Sequence, residues 1–121
     1  MKKVLLVEDE GLLARMYTEK LSQAGLKIIT AIEAELGLEL AKRERPDLII
    51  LDILLPKENG IFFLQKLRED PKIASIPVLA FSNYDDPTTK KQAFSLGIID
   101  YLIKTNYTPN EMVEKVKKCL K

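Results

Sequence analysis

The sequence has no histidine, no tryptophan, one cysteine, five glycines and no long uninterrupted hydrophobic run. Each absence closes off a class of chemistry. Without imidazole there is no Ser-His or Cys-His nucleophile pair and no phosphohistidine of the chain's own, and most zinc sites lose a ligand type they depend on. With Cys119 alone, no internal disulfide can form, which points to a reducing compartment, the cytoplasm; Cys119 itself reads as a helix-face residue without chemistry. The N-terminal run Val4-Leu5-Leu6-Val7 stops at Glu8-Asp9-Glu10, too short for a signal core and far too short for a membrane span. A formal net charge of +1 gives no general attraction to nucleic acid or membrane. The late lysines Lys115, Lys117, Lys118 and Lys121 suit the last turns of a helix, where the helix dipole favours cations.

What is present is one domain's worth of alternating pattern. The 121 residues are 46% hydrophobic and 31% charged, with no repeat, linker or low-complexity stretch, so residues 1–121 are expected to form a single domain. Short apolar runs at 4–7, 27–31, 48–51, 78–81 and 101–103 read as strands, and several lack the polar alternation of a half-exposed strand, so both faces should be covered. Between them apolar residues recur at helical spacing. Leu13, Met16 or Tyr17, Leu21 and Ala24 form one stripe that Gly25 ends; Leu38, Leu40 and Ala41 form a second that Pro46 ends. Phe63, Leu64 and Leu67 follow a cap at Asn59. A fourth helix over about 88–96 should turn Ala93, Phe94 and Leu96 inward and end at Gly97. Thr108-Pro109-Asn110-Glu111 is a capping box with proline at its first position, followed by Met112, Val113, Val116 and Leu120.

Five β-α units of this size predict a doubly wound α/β fold with right-handed crossovers, a parallel five-stranded sheet and strand order 2-1-3-4-5. Ligands of such sheets bind beyond the carboxyl ends of the strands. Polar residues stand at those ends: Glu8 and Asp9 after the first strand, Asp52 as the last residue of the third, Ser82 at the fourth and Lys104 at the fifth. Any one of them reads equally well as a solvated loop residue, but all five at carboxyl ends is hard to assign to chance. Two like charges ~4 Å apart repel by roughly 4 kcal/mol at an effective dielectric of 20. Three acids together therefore take up protons or hold a cation, and a hard, partly hydrated one such as Mg²⁺ suits them. An ammonium and a hydroxyl beside them suit a tetrahedral anion, so phosphoryl chemistry is the leading expectation.

These residues carry a resemblance. Val4-Leu5-Leu6-Val7-Glu8-Asp9, Arg45-Pro46-Asp47-Leu48-Ile49-Ile50-Leu51-Asp52, Asp52-Ile53-Leu54-Leu55-Pro56 with Gly60, Ile76-Pro77-Val78 leading to Ser82, and Asp100-Tyr101-Leu102-Ile103-Lys104 together resemble a receiver domain of a two-component response regulator, similar to the chemotaxis regulators, along the whole chain. The resemblance implies a flavodoxin-like three-layer sandwich. It implies Asp52 as phosphoacceptor, taking a phosphoryl group from a sensor histidine kinase or a histidine phosphotransfer protein. Asp9, Asp52 and the backbone carbonyl of Leu54 would bind Mg²⁺, with Glu8 acting through water. Lys104 would pair with the phosphoryl group, and Ser82 would hydrogen-bond it. Movement of Ser82 would let Tyr101 turn inward and change the surface of helix 4, strand 5 and helix 5 that an effector or output domain reads. A plain strand tyrosine is the alternative for Tyr101. No direct nucleic-acid or membrane partner is expected.

Several positions depart from the family's commonest pattern. Ser82 stands where threonine is usual, Asn83 where a small alanine is usual, and Thr105 where proline after a cis peptide is usual. Asn83 is expected to narrow access to Asp52 or to bond the phosphoryl group, and the Lys104-Thr105 peptide is left open between cis and trans. Leu54 and Tyr84, which flank the site, are bulky and largely apolar, so slow hydrolysis of the phosphoryl group is expected. The competing readings are a degenerate receiver serving as a phosphorylation-independent docking module and an aspartyl-phosphate hydrolase. The hydrolase would want a second acid two residues after its nucleophile, where Leu54 stands. No glycine-rich phosphate loop follows the first strand.

Overall fold

Alternation along the strands divides the interior in two. A computed structural model describes residues 1–121 as β1 (Lys3–Val7), α1 (Gly11–Gln23), β2 (Lys27–Ala31), α2 (Ala34–Glu44), β3 (Leu48–Leu51), α3 (Gly60–Glu69), β4 (Val78–Ser82), α4 (Pro87–Ser95), β5 (Asp100–Ile103), a short 3-10 turn (Lys104–Asn106) and α5 (Pro109–Cys119). All strand pairings are parallel, in the order β2-β1-β3-β4-β5, as expected from the sequence. Leu5, Val7, Ile49, Leu51, Val78, Ala80 and Tyr101 face one core, shared with α2, α3 and α4. Val4, Leu6, Leu48, Ile50, Leu79, Phe81 and Leu102 face the other, shared with α1 and α5. A period of two in each strand thus supplies both layers. Each fully buried Leu, Ile or Phe contributes about 1.5–3 kcal/mol relative to exposure.

Local chemistry marks several helix ends, although α1 and α2 start without a side-chain cap. Asn59 caps α3 by accepting the Phe62 N–H at 3.1 Å, and Thr108 with Glu111 forms the reciprocal capping box of α5. Gly25 and Gly97, at φ +90° and +81°, end α1 and α4. At each the next residue bonds back into the helix, Leu26 N–H to Leu21 O at 3.2 Å and Ile98 N–H to Ala93 O at 3.5 Å, which closes the last turn. α2 ends on Arg45 in a left-handed conformation, φ 48°, just ahead of Pro46. In α1 it is Tyr17 that is buried, packed edge-to-face on Phe81 with centroids 5.3 Å apart.

Two features differ from the sequence reading. Phe94 is 48% exposed and does not enter the core. α4 is short and meets the sheet through Ala93, and a step of about 100° carries the next side chain off the covered stripe. The second is Arg68, on which the sequence pattern is silent. Its guanidinium donates to the carbonyls of Leu96 at 2.7 Å, Ala74 at 2.8 Å, Ile76 at 2.8 Å and Gly97 at 3.2 Å, so one side chain ties α3 to the loops entering β4 and β5. Replacing Arg68 with alanine strands those acceptors. It is expected to cost about 1.5–3 kcal/mol, read as a lower urea midpoint at unchanged slope.

Candidate functional site

Sheet register builds the site. Val7 pairs with Leu51, so Glu8 and Asp52 lie side by side one step further, and the Asp52 N–H continues the ladder to Val7 O at 3.0 Å. Ser82 pairs with Ile103, which sets Lys104 beside Asn83. Leu6, Ile50 and Leu102 belong to the α1/α5 core; Glu8, Asp52 and Lys104 each stand two residues beyond one of them and so share its face. Asp52, read from sequence as the last residue of the third strand, lies just past β3, as Glu8 and Lys104 lie just past β1 and β5, while Ser82 closes β4. Hydrophobicity marks where the run ends, but the ladder ends where two neighbouring strands stop pairing.

Three of the groups are buried together. Glu8, Asp52 and Lys104 are all nearly inaccessible. The Lys104 ammonium donates to Asp52 Oδ2 at 2.8 Å and to Glu8 Oε1. Burial works against that ammonium, but hydrogen bonds and charge from Asp52 and Glu8 outweigh it and hold its pKa above the ordinary lysine value. Burial pushes the Glu8 carboxyl above the usual carboxylate range, opposed by the bond to Lys104. Glu8 also accepts the Glu10 N–H at 3.2 Å, and Asp52 the Leu54 N–H at 3.2 Å. Gly60 approaches this loop so closely that a Cβ there would lie 2.8 Å from Ile53 Cα and 2.9 Å from Asp52 O, so only glycine lets α3 start against the Asp52 backbone.

Carboxylate oxygens of Glu8, Asp9 and Asp52 lie within 4.8 Å of one another. Oxygen donors with no soft ligand among them, one residue exposed to solvent, fit a hard divalent cation that keeps some of its water. Asp9, Asp52, Leu54, Ser82, Asn83 and Lys104 border one pocket. A wider hollow along α2 is lined by Glu33, Glu35, Glu39 and Lys42 beside Ile32, Leu36 and Leu38, but its acids do not converge as Glu8, Asp9 and Asp52 do.

A family profile for the response regulator receiver domain matches residues 4–117. The chain belongs to that family. It is 35% identical over 120 residues to the alkaline phosphatase synthesis transcriptional regulatory protein PhoP of Bacillus subtilis (strain 168), covering 99% of this chain and 49% of that protein. It is 34% identical over 121 residues to the DNA-binding dual master transcriptional regulator RpaA of Synechocystis, covering 100% of this chain and 50% of that one. The chain thus spans about half the length of the curated relatives it matches. Among solved structures, chemotaxis protein CheY4 of Vibrio cholerae superposes with a TM-score of 0.90 at 27% identity, covering 99% of both chains. No helix of this receiver domain is long and apolar enough to cross a membrane.

The remaining residues singled out in the sequence lie around the pocket. Leu54, 53% exposed, borders it, while Tyr84, 39% exposed, lines a neighbouring hollow that also includes Leu54. The Lys104-Thr105 peptide is trans, and a 3-10 turn carries Lys104 to the acids instead. Asn83 is engaged with the chain: its Oδ1 accepts the Thr105 N–H at 3.0 Å. The Ser82 hydroxyl accepts the Tyr84 N–H at 3.2 Å. Tyr101 is already turned inward, 8% exposed, with its hydroxyl donating to Tyr84 O at 2.5 Å, so the inward turn expected to follow movement of Ser82 is present while Ser82 still holds the Tyr84 N–H. Lys90 sits 5.8 Å from the centre of its ring and pairs with Asp85. Arg68, Asp85 and Lys90 escaped the sequence reading, since no local pattern marks the reach of Arg68 to Leu96 and Gly97 or of Lys90 to the Tyr101 ring.

Burial pushes the Tyr101 phenol up to about 12, whereas an unfolded tyrosine ionises near pH ~10. The folded state holds this proton more tightly, so the stabilisation is complete below pH ~10 and is lost as pH rises through ~12. Unfolding free energy measured across that window should fall, and Tyr101→Phe should flatten part of the fall. Equal slopes in both proteins would show the phenol to be solvated.

Proposed function

We propose that this receiver domain is a phosphorylation-controlled switch of a two-component system, with Asp52 as phosphoacceptor. The observation that supports it best is the direct bond from the Lys104 ammonium to the Asp52 carboxylate, with Glu8 and Asp9 within metal-binding reach of the same atoms. The donor is a phosphohistidine on a sensor histidine kinase or histidine phosphotransfer protein, since the chain has no histidine. An Asp52 oxygen attacks phosphorus in line as the P–N bond breaks. The electron pair stays on the imidazole nitrogen, which takes up a proton, and Asp52 becomes an acyl phosphate. Lys104 turns from Glu8 toward a phosphoryl oxygen and the Ser82 hydroxyl donates to another, so neither anion meets the other unscreened.

Asp9, Asp52 and the Leu54 carbonyl would hold Mg²⁺, with Glu8 through water; bound there, it neutralises charge between carboxylate and phosphoryl group. Ser82 and Tyr101 are linked through the backbone of Tyr84. Withdrawing Ser82 toward the phosphoryl group therefore bears on the Tyr84 segment that holds the Tyr101 hydroxyl. That couples the site to the α4, β5 and α5 surface, where an effector or output domain would dock. The domain carries out its own phosphoryl transfer and slow loss without turning over a substrate.

Intact mass after incubation with acetyl phosphate and Mg²⁺ tests this. One phosphoryl group should appear on the wild type and none on Asp52→Asn or in a metal-free control. No gain under any condition would leave a docking module as the reading of this site. With Leu54 and Tyr84 offering no side-chain carboxylate or carboxamide to place a water, the phosphorylated form should be long-lived. Leu54→Asn and Tyr84→Glu are each expected to change its decay, and unchanged decay in both would remove those two residues from the account.

A further inference from the structure

The Lys104 ammonium supplies the positive charge at Asp52, yet Lys104 lies outside regular structure, one residue beyond β5 in a turn of three residues. The first N–H groups of a helical turn have no partner inside it. Here the Tyr107 N–H closes the turn on Lys104 O at 3.2 Å, and the Thr105 N–H points outward. The acceptor it finds is the side chain of Asn83, 22 positions earlier on the β4-α4 loop, at 3.0 Å. Asn83 follows Ser82 directly and borders the same pocket as Asp52 and Lys104. One carboxamide therefore joins the loop that carries the hydroxyl to the loop that carries the ammonium.

We infer that Asn83 is a positioning residue: by holding the Thr105 N–H it fixes the turn from which Lys104 reaches Asp52. Two local requirements follow from the same geometry. Residue 105 must have an N–H to donate, and Lys104 must take up helical backbone angles, which a following proline disfavours. Threonine at 105 meets both, so Asn83 and Thr105 work as a pair. Both residues are exposed, so breaking their bond leaves the core intact and acts on the site. The inference rests on the phosphoacceptor reading of Asp52.

The experiment compares wild type, Asn83→Ala, Lys104→Met and the double variant for the rate of Asp52 phosphorylation by acetyl phosphate with Mg²⁺, together with hydrogen exchange at the Thr105 amide. Asn83→Ala should slow phosphorylation by roughly 2- to 10-fold, the worth of one hydrogen bond, in the maximal rate and not in the half-saturating donor concentration. It should produce no further slowing when Lys104 is already methionine, because it acts through Lys104. The Thr105 amide should lose protection in Asn83→Ala and keep it in Asn83→Asp, which retains an acceptor oxygen. Equal slowing with and without Lys104, no slowing at all, or unchanged Thr105 exchange in Asn83→Ala would each overturn the inference, the last independently of how Lys104→Met folds. Absence of phosphorylation in the wild type would overturn the phosphoacceptor reading and this inference with it. Phosphorylated wild type with an indifferent Asn83→Ala would overturn the inference alone.

Discussion

Everything at the carboxyl edge of the sheet is arranged around one buried ammonium between two buried carboxylates. Glu8 and Asp52 come from adjacent strands, β1 and β3, while Lys104 follows β5, on the far side of β4. Taking such charges out of water costs several kcal/mol per ion. Mutual attraction repays that cost only while the three remain in contact. The second carboxylate leaves the trio with a net negative charge beside exposed Asp9, which is the electrostatic reason that a cation fits there.

That trio constrains the fold in return. A four-carbon stem must span the width of β4 to reach Asp52, on the α1/α5 face that Phe81 and Leu102 share. The β3-α3 loop has to fold back against Asp52, which Gly60 permits by bringing α3's first residue onto the Ile53 backbone. Because all strands run parallel, their carboxyl ends open on one side, and residues nearly a hundred positions apart meet without any long excursion of the chain.

From the pocket, contacts run outward toward the surface. Ser82 accepts from Tyr84 N–H, Tyr84 O accepts from Tyr101, and Lys90 covers the Tyr101 ring. The exposed Phe94 and Ile99 lie on α4 and just before β5. On the proposed function, occupancy of the pocket is felt at this surface because the same few backbone atoms serve both. Arg68 holds the far end of α4 through the carbonyls of Leu96 and Gly97 just past it, and Asp86 caps the near end by accepting from Thr89.

The order of elements, their caps and both cores were legible in sequence because each rests on local signals: period two or 3.6, Asn59 and Thr108 as caps, Gly25 and Gly97 as stops. The acids, hydroxyl and lysine were legible because parallel topology turns strand ends into a shared place. Phe94 was misplaced because helical periodicity identifies an apolar stripe but not how little of a short helix the sheet covers. Arg68 and the Asn83-Thr105 bond were invisible because their partners are backbone groups with no sequence identity. By itself, then, the sequence determined the α/β architecture and the chemistry available at its edge, since hydrophobic patterning and residue type are local properties. Only the tertiary structure decided that Lys104 reaches both Glu8 and Asp52 over a trans peptide, and that Asn83 spends its oxygen on Thr105. Those outcomes depend on distances between chain segments that no local pattern records.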